Sequence, residues 1–141
     1  MPVQDEVLQP FRSAISDLAD WIVQSQLEAT LIGGLAVGLR SRPRVTQDID
    51  TLLWSEEPPN QGLVNAAAVY GFVPRISDVL EFARSHHVLM LNHAASGVRL
   101  DVSAAFLPFE REVIERSQPI RLSQDIVLPV ATAEDLLIMK V

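Results

Sequence analysis

The stretch that decides the fold is GGLAVGLRSRPRVTQDIDTLL, residues 33–53. It opens on two glycines and ends on two aspartates set in an apolar run. In a β-strand alternate side chains share a face, so Asp48 and Asp50 project from the same side while Ile49 enters the other. Carboxylates this close repel each other unless a cation or an arginine neutralises them. The stretch therefore predicts a strand with a charged site on one face.

The sequence around this stretch alternates between helical and extended patterns. Apolar spacing predicts an amphipathic helix over residues 10–26, and ATLIGG is typical of a buried strand that enters a turn. HVLMLNH and VRLDVSAAF, separated by ASG, predict an antiparallel hairpin. PFEREVIERS predicts a helix with proline at its start, in which Glu110 and Glu112 are solvated. Together these elements predict an α/β (α+β) fold, a mixed β-sheet flanked by helices.

Length and composition limit the class of protein. The 141 residues predict one domain, residues 1–141, with a sizeable hydrophobic core. The sequence stops inside an apolar helical pattern that begins at TAEDLL, where Thr132 and Asp135 resemble a capping box. Either the helix ends there or the natural chain continues past Val141, in which case the domain is truncated at its C-terminal end.

The same data favour a cytoplasmic protein. The chain has no cysteine, which suits a reducing compartment, and its N-terminus lacks a signal-peptide pattern. The longest apolar stretch, LIGGLAVGL, is too short to span a bilayer as a helix, so no membrane association is expected. A net charge of −7 argues against general coating of nucleic acid but leaves room for a local basic site.

A third carboxylate strengthens the hypothesis of a metal site. Asp101 lies in VRLDVSA, within a strand that is otherwise apolar. If this strand pairs beside QDIDTLLW, then Asp48, Asp50 and Asp101 converge. Mg²⁺ takes one or two carboxylates and completes its shell with water and substrate phosphates. Three carboxylates can hold two such ions, which clamp the attacking and leaving oxygens of a phosphoryl transfer.

The residues before the aspartates suggest how phosphate would be held. Gly33 and Gly34 stand at the start of a short predicted helix, whose free backbone N–H groups attract anions. The arginine-rich segment supplies Arg42 and Arg44, which are either a solvated loop or phosphate contacts. Taken singly, a glycine pair and an Asp-x-Asp motif are each more typical of ordinary structure. Their combination with Asp101 is more specific and points to nucleotide transfer.

These motifs carry a resemblance to a known family. LIGGLAVGLRSRPRVTQDIDTLL resembles the glycine pair and Asp-x-Asp signature of the DNA polymerase β-like nucleotidyltransferase superfamily. The form R-x-T-x-D-I-D, with GVRLDVS, LPFE and TAEDLLIMK downstream, resembles its AbiEii/AbiGii-type branch of bacterial proteins. The resemblance spans about residues 30–140. Members of that branch usually continue into further helices with another acidic motif, which this sequence lacks.

The resemblance implies a role for each candidate residue. Gly33 and Gly34 would contact the triphosphate, and Lys140, the only lysine, would reach a phosphate. Asp48 and Asp50 would bind the metals, Mg²⁺ or Mn²⁺. Asp101 would complete the triad and help to deprotonate the acceptor hydroxyl.

The implied activity is transfer of a nucleoside monophosphate from an NTP to a hydroxyl of tRNA or protein. Its setting would be a toxin–antitoxin or phage-defence system with a cognate antitoxin or toxin. The rival hypothesis is a non-catalytic antitoxin or nucleotide- or partner-binding module that keeps the same fold. The remaining polar and aromatic candidates are interpreted as structural: the histidines as strand-edge residues without zinc spacing, and the tryptophans as core (His86, His87, His93, Trp21 and Trp54).

Overall fold

The computed structural model describes residues 11–40 and 48–139. Arg42, Arg44 and Lys140 lie outside this part of the chain, so their predicted phosphate contacts stay predictions. Within it, no helix is long and apolar enough to cross a membrane. The described elements are α1 Arg12–Gln24, β1 Glu28–Ile32, α2 Gly33–Arg40, β2 Asp48–Trp54, α3 Gln61–Val69, β3 Phe72–Pro74, α4 Val79–His86, β4 Val88–His93, β5 Arg99–Ala104, α5 Pro108–Arg116, β6 Gln118–Arg121, β7 Val127–Val130 and α6 Ala133–Met139.

The strands form one mixed sheet of seven, in the order β3-β4-β5-β2-β1-β7-β6. The central strand β2 pairs antiparallel with β1 and parallel with β5. β4 and β5 form the predicted antiparallel hairpin. Helices α2 and α5 both pack against β1 and β2, while α4 packs against β4. The prediction of a mixed sheet flanked by helices is confirmed.

Alternation along β4, β5 and the first half of β2 gives the centre of the sheet two unlike faces. Ile49, Leu91 and Leu100 share one face and are fully buried. Helix α1 covers this apolar face through Trp21, whose ring stacks on Phe72 with centroids 6.1 Å apart. Trp21 is therefore core, as predicted. The opposite face carries the half-buried and charged side chains described below.

The edge strand β3 has no counterpart in the sequence-based prediction. It is three residues long, ends in Pro74 and pairs antiparallel with β4. So short a segment has no alternation to detect, and proline is tolerated there because an edge strand leaves one side unpaired. The strand follows Gly71, whose φ of +91° suits a turn that glycine adopts without strain.

His93 is not the strand-edge residue that the sequence suggested. It is fully buried at the end of β4, and both ring nitrogens are engaged. Nε2 lies 2.6 Å from the Asp17 carboxylate on α1, and Nδ1 lies 2.7 Å from the Ser96 hydroxyl. A buried polar ring must find such partners. This network fastens α1 to the β4–β5 hairpin.

Two helix starts make polar contacts that differ from the sequence-based expectations. At α6 the backbone N–H of Asp135 donates to the Thr132 hydroxyl at 3.2 Å, as a capping box requires. The Asp135 carboxylate instead binds Arg116, so the reciprocal half of the box is replaced by an ion pair. At α5 the prediction of a solvated Glu110 is wrong. Its carboxylate accepts from the backbone N–H groups of Phe106 and Leu107, both at 3.0 Å.

We expect Asp135→Ala to lower the free energy of unfolding by about 2 kcal/mol, because it removes charge-assisted hydrogen bonds. The Asp135 side chain is 5% exposed and accepts twice from Arg116 at 2.9 Å, which holds the pKa of this carboxyl below its usual value. The matched control is Glu112→Ala, which removes an exposed 3.6 Å contact to the same arginine. Surface pairs of this kind contribute little. Urea unfolding of both variants measures the difference, and equal effects would contradict the assignment.

Candidate active site

Strand register brings the three predicted carboxylates onto one face. β2 and β5 are parallel neighbours in which Asp50 stands beside Asp101 and Asp48 beside Arg99. Asp48 and Asp50 are two residues apart on β2 and share that face. We call the surface formed by Asp48, Asp50, Arg99 and Asp101, together with Arg75, which contacts Asp101, the charged face. The strand pairing that the hypothesis required is therefore present.

Two arginines neutralise part of this charge. Arg75, which follows β3, places Nη2 2.5 Å from Asp101 Oδ1 and donates from Nη1 to the Leu91 carbonyl at 3.1 Å. Arg99 Nε lies 2.7 Å from Asp48 Oδ1. Among the described residues no arginine forms an ion pair with Asp50. The charged face thus holds three carboxylates and two guanidinium groups.

The Asp50 carboxyl has a raised pKa. Burial, followed by the charges of Asp101 and Asp48, raises its pKa from 3.8 to about 6, while Arg75 acts in the opposite direction. Desolvation and neighbouring carboxylates both disfavour the charged form. Perturbed groups of this kind concentrate at functional sites. The shift means that Asp50 lies where further positive charge would be stabilising.

The raised pKa of Asp50 predicts that the stability difference between the wild type and Asp50→Asn depends on pH. The folded protein binds the Asp50 proton more tightly than the unfolded chain, so stability from this group falls as pH rises from about 4 to about 6. Above that range we expect charged Asp50 to cost about 1–2 kcal/mol, after a discount for solvent screening. Urea unfolding should show Asp50→Asn stabilising the fold more at about pH 7.5 than at about pH 5. A gain that does not depend on pH would contradict this account.

Gly33 is the first residue of α2 and lies close against the Asp50 side chain. Its φ is +76°, and a Cβ built at this position would lie 2.9 Å from both Cβ and Cγ of Asp50. Glycine is therefore required twice, for the backbone conformation and for the close approach. Gly34 lies in the first turn of α2 and is half-buried. The helix start predicted to hold phosphate stands next to the charged face.

Arg40, which precedes Arg42 and Arg44 in the sequence, makes structural hydrogen bonds. Arg40, the last residue of α2, donates to the carbonyls of Val130 and Ala131, each at 3.0 Å. These bonds tie α2 to the end of β7. Arg40 therefore has a structural contact of its own.

Sequence reasoning missed both arginines of the charged face. Arg99 could have been found, since it stands two residues before Asp101 in a strand and so shares its face. Arg75 carries no local signal. It reaches Asp101 only because β3 pairs with β4, which pairs with β5.

The donor set of the charged face suits Mg²⁺ or Mn²⁺, although no metal cage is preformed. In residues 11–40 and 48–139, no three acidic or histidine side chains are grouped closely enough to hold one ion. Arg75 and Arg99 contact two of the three carboxylates. Mg²⁺ needs only one or two carboxylates, because water and substrate phosphates supply the rest. Asp50 with Asp48 or Asp101 meets that requirement.

Comparison with known proteins adds no further constraint. Neither a family model nor a curated protein matches this chain. The charged face and the sequence motifs that form it are therefore the basis for a proposed function.

Proposed function

We propose that the charged face is the active site of a metal-dependent nucleotidyltransferase, which moves a nucleoside monophosphate from an NTP to a hydroxyl of tRNA or protein. The observation that carries the proposal is the pairing of Asp50 with Asp101, with Gly33 against the Asp50 side chain. Carboxylates on neighbouring strands beside a glycine-led helix start combine a cation site with an anion site. NTP bound to Mg²⁺ presents that pair of charges.

The reaction that this arrangement supports is an in-line displacement. The acceptor oxygen forms a bond to the α-phosphorus while the bond between that phosphorus and the α–β bridging oxygen breaks, and pyrophosphate leaves. Asp48, Asp50 and Asp101 would hold Mg²⁺ or Mn²⁺, which stabilises negative charge on the phosphates. Asp101 would accept the hydroxyl proton. The N–H groups at Gly33 and Gly34 would orient the triphosphate.

The biological setting is proposed from the sequence resemblance. The AbiEii/AbiGii-type pattern favours a bacterial toxin–antitoxin or phage-defence system, in the cytoplasm, with a cognate antitoxin or toxin as partner. The acidic net charge of −7 slightly favours a protein acceptor over tRNA, unless Arg42 and Arg44 form a local RNA site.

A non-catalytic nucleotide- or partner-binding module is the second candidate. The observation that favours it is that Arg75 and Arg99 already pair with two of the three carboxylates. Arginine can serve as a permanent counter-charge where no metal is needed. This candidate predicts nucleotide or partner binding without turnover.

Label transfer separates the two candidates. Each α-phosphate-labelled NTP is incubated with the protein, Mg²⁺ or Mn²⁺, and either total tRNA or cell-extract protein. The nucleotidyltransferase proposal predicts metal-dependent labelling that the Asp48→Asn, Asp50→Asn double variant lacks. Binding of NTP with no transfer, also with a chain extended beyond Val141, would favour the module.

A further inference from the structure

A cavity of about 320 Å³ lies at the end of the sheet remote from the charged face. It is formed where β2 and β5 end, at Trp54 and Ala104, with the loops that follow them. Asp50 is four residues before Trp54 on β2, which places it about 13 Å away along the strand. The cavity therefore does not belong to the proposed transfer site.

Aromatic and aliphatic side chains form most of the cavity wall. Trp54, Leu63 and Phe106 line it together with prolines of the β2–α3 loop. Phe106 is 55% exposed, so a large part of its ring is open to solvent or to a ligand. Trp54, predicted to be core, is only half-buried. The wall offers an apolar surface that no described side chain covers fully.

The exposed Phe106 ring is held in place rather than free. It stacks on His87 with centroids 4.1 Å apart and planes 22° from parallel. His87 has a φ of +61°, a left-handed conformation that costs energy in a residue with a Cβ. Its carbonyl accepts from the backbone N–H of Ala104 at 2.7 Å, which fixes this conformation. This left-handed residue ends α4 and places the His87 ring against Phe106 at the cavity.

Carboxylates give the cavity a negative rim. Glu56 and Glu57 line it, and no lysine or arginine belongs to its described lining. Glu57 is oriented by the side-chain amide of Asn60, which donates to Oε2 at 3.1 Å. Arg111, which is not part of the lining, lies with its guanidinium 4.4 Å from the centre of the Trp54 ring. An apolar wall with an acidic rim complements a ligand that is both apolar and positively charged.

We propose that this cavity binds a small organic cation with an apolar body, of the arylalkylammonium class. The ring of such a molecule packs between Trp54 and Phe106, while its ammonium group faces Glu56 and Glu57. A free small molecule is favoured over a protein segment because a volume of about 320 Å³ lies at the lower end of the range for small-molecule sites. The site is independent of nucleotide transfer.

Phenethylammonium and 3-phenylpropionate test the proposal, because both carry a phenyl ring on a two-carbon chain but have opposite charges. Binding is followed by the NMR signal of the Trp54 indole N–H, assigned with Trp54→Phe. We expect a saturable shift with the cation and none with the anion. The Glu56→Gln, Glu57→Gln double variant and Phe106→Ala should each weaken binding by about tenfold or more. The control Glu134→Gln, which removes an exposed carboxylate on α6, should leave binding unchanged.

Each of four outcomes would overturn the proposal. Neither compound shifts the Trp54 signal, or the anion binds as well as the cation, or Glu134→Gln weakens binding as much as the double variant does. Binding of a lysine-rich peptide without binding of phenethylammonium would also overturn it, in favour of a basic protein segment. None of these results depends on whether the charged face transfers nucleotides.

Discussion

Asp50→Asn is expected to reduce nucleotide transfer by about 10³-fold, since several kcal/mol of transition-state stabilisation depend on cation binding by the charged face. Asp50 stands beside Asp101 and shares its face with Asp48, so its carboxylate is central to the cluster. The amide keeps the shape of the side chain but removes the charge. The measurement is the initial rate of label transfer at saturating Mg²⁺.

The same variant separates function from folding. Because burial and like charges raise the pKa of Asp50 to about 6, its charged form opposes folding at neutral pH. Asp50→Asn should therefore be at least as stable as the wild type while it is inactive, a trade-off known from active sites. Asp20→Asn, an exposed carboxylate on α1, is the matched control and should retain full transfer. Wild-type rates in Asp50→Asn would refute the assignment of the site.

Gly33→Ala is expected to lower the free energy of unfolding by about 3 kcal/mol or more, the combined cost of a left-handed residue and of overpacking. The new methyl group would lie 2.9 Å from Cβ and Cγ of Asp50. Asp50 would have to move, so transfer should fall as well. Urea unfolding gives the stability, and label transfer on the folded fraction gives the activity.

Gly97→Ala is the control that isolates the steric part of this effect. Gly97 has a φ of +77°, almost the same as Gly33, but a Cβ there meets no atom within 4 Å. Its cost should be limited to the backbone, about 1 kcal/mol. Equal losses in the free energy of unfolding for the two variants would show that the close approach of Gly33 to Asp50 does not affect stability.

The sequence predicts the central part of the fold well because that part is encoded locally. The first half of β2 alternates with period two, since Asp48 and Asp50 flank the buried Ile49, and the β4–β5 hairpin has two apolar strands around a short glycine-containing loop. Features that depend on distant partners were missed. β3 is defined only by its pairing with β4, and the burial of His93 is defined by Asp17, 76 residues away.

In the candidate site, too, some features follow from the local sequence and others depend on distant strand pairing. Placing Asp48 and Asp50 on one face follows from strand geometry alone, and the proposed phosphate contact of Gly33 follows from its position at the start of a helix. That Asp101 lies beside Asp50 required the parallel pairing of strands about fifty residues apart, which no local pattern encodes. The contact between Arg75 and Asp101 depends on two further strand pairings and was not foreseen.

Binding of a metal–NTP complex by the charged face is the step on which the proposed activity depends. Broadening of NMR signals by Mn²⁺ tests this binding most directly, because the experiment does not require the acceptor to be known. Mn²⁺ is added with a non-hydrolysable NTP analogue to ¹⁵N-labelled protein and to the Asp48→Asn, Asp50→Asn variant. The account predicts selective loss of the amide signals of Gly33, Ile49 and Leu100 in the wild type, and their retention in the variant. Broadening elsewhere, or equal broadening in both proteins, would contradict it.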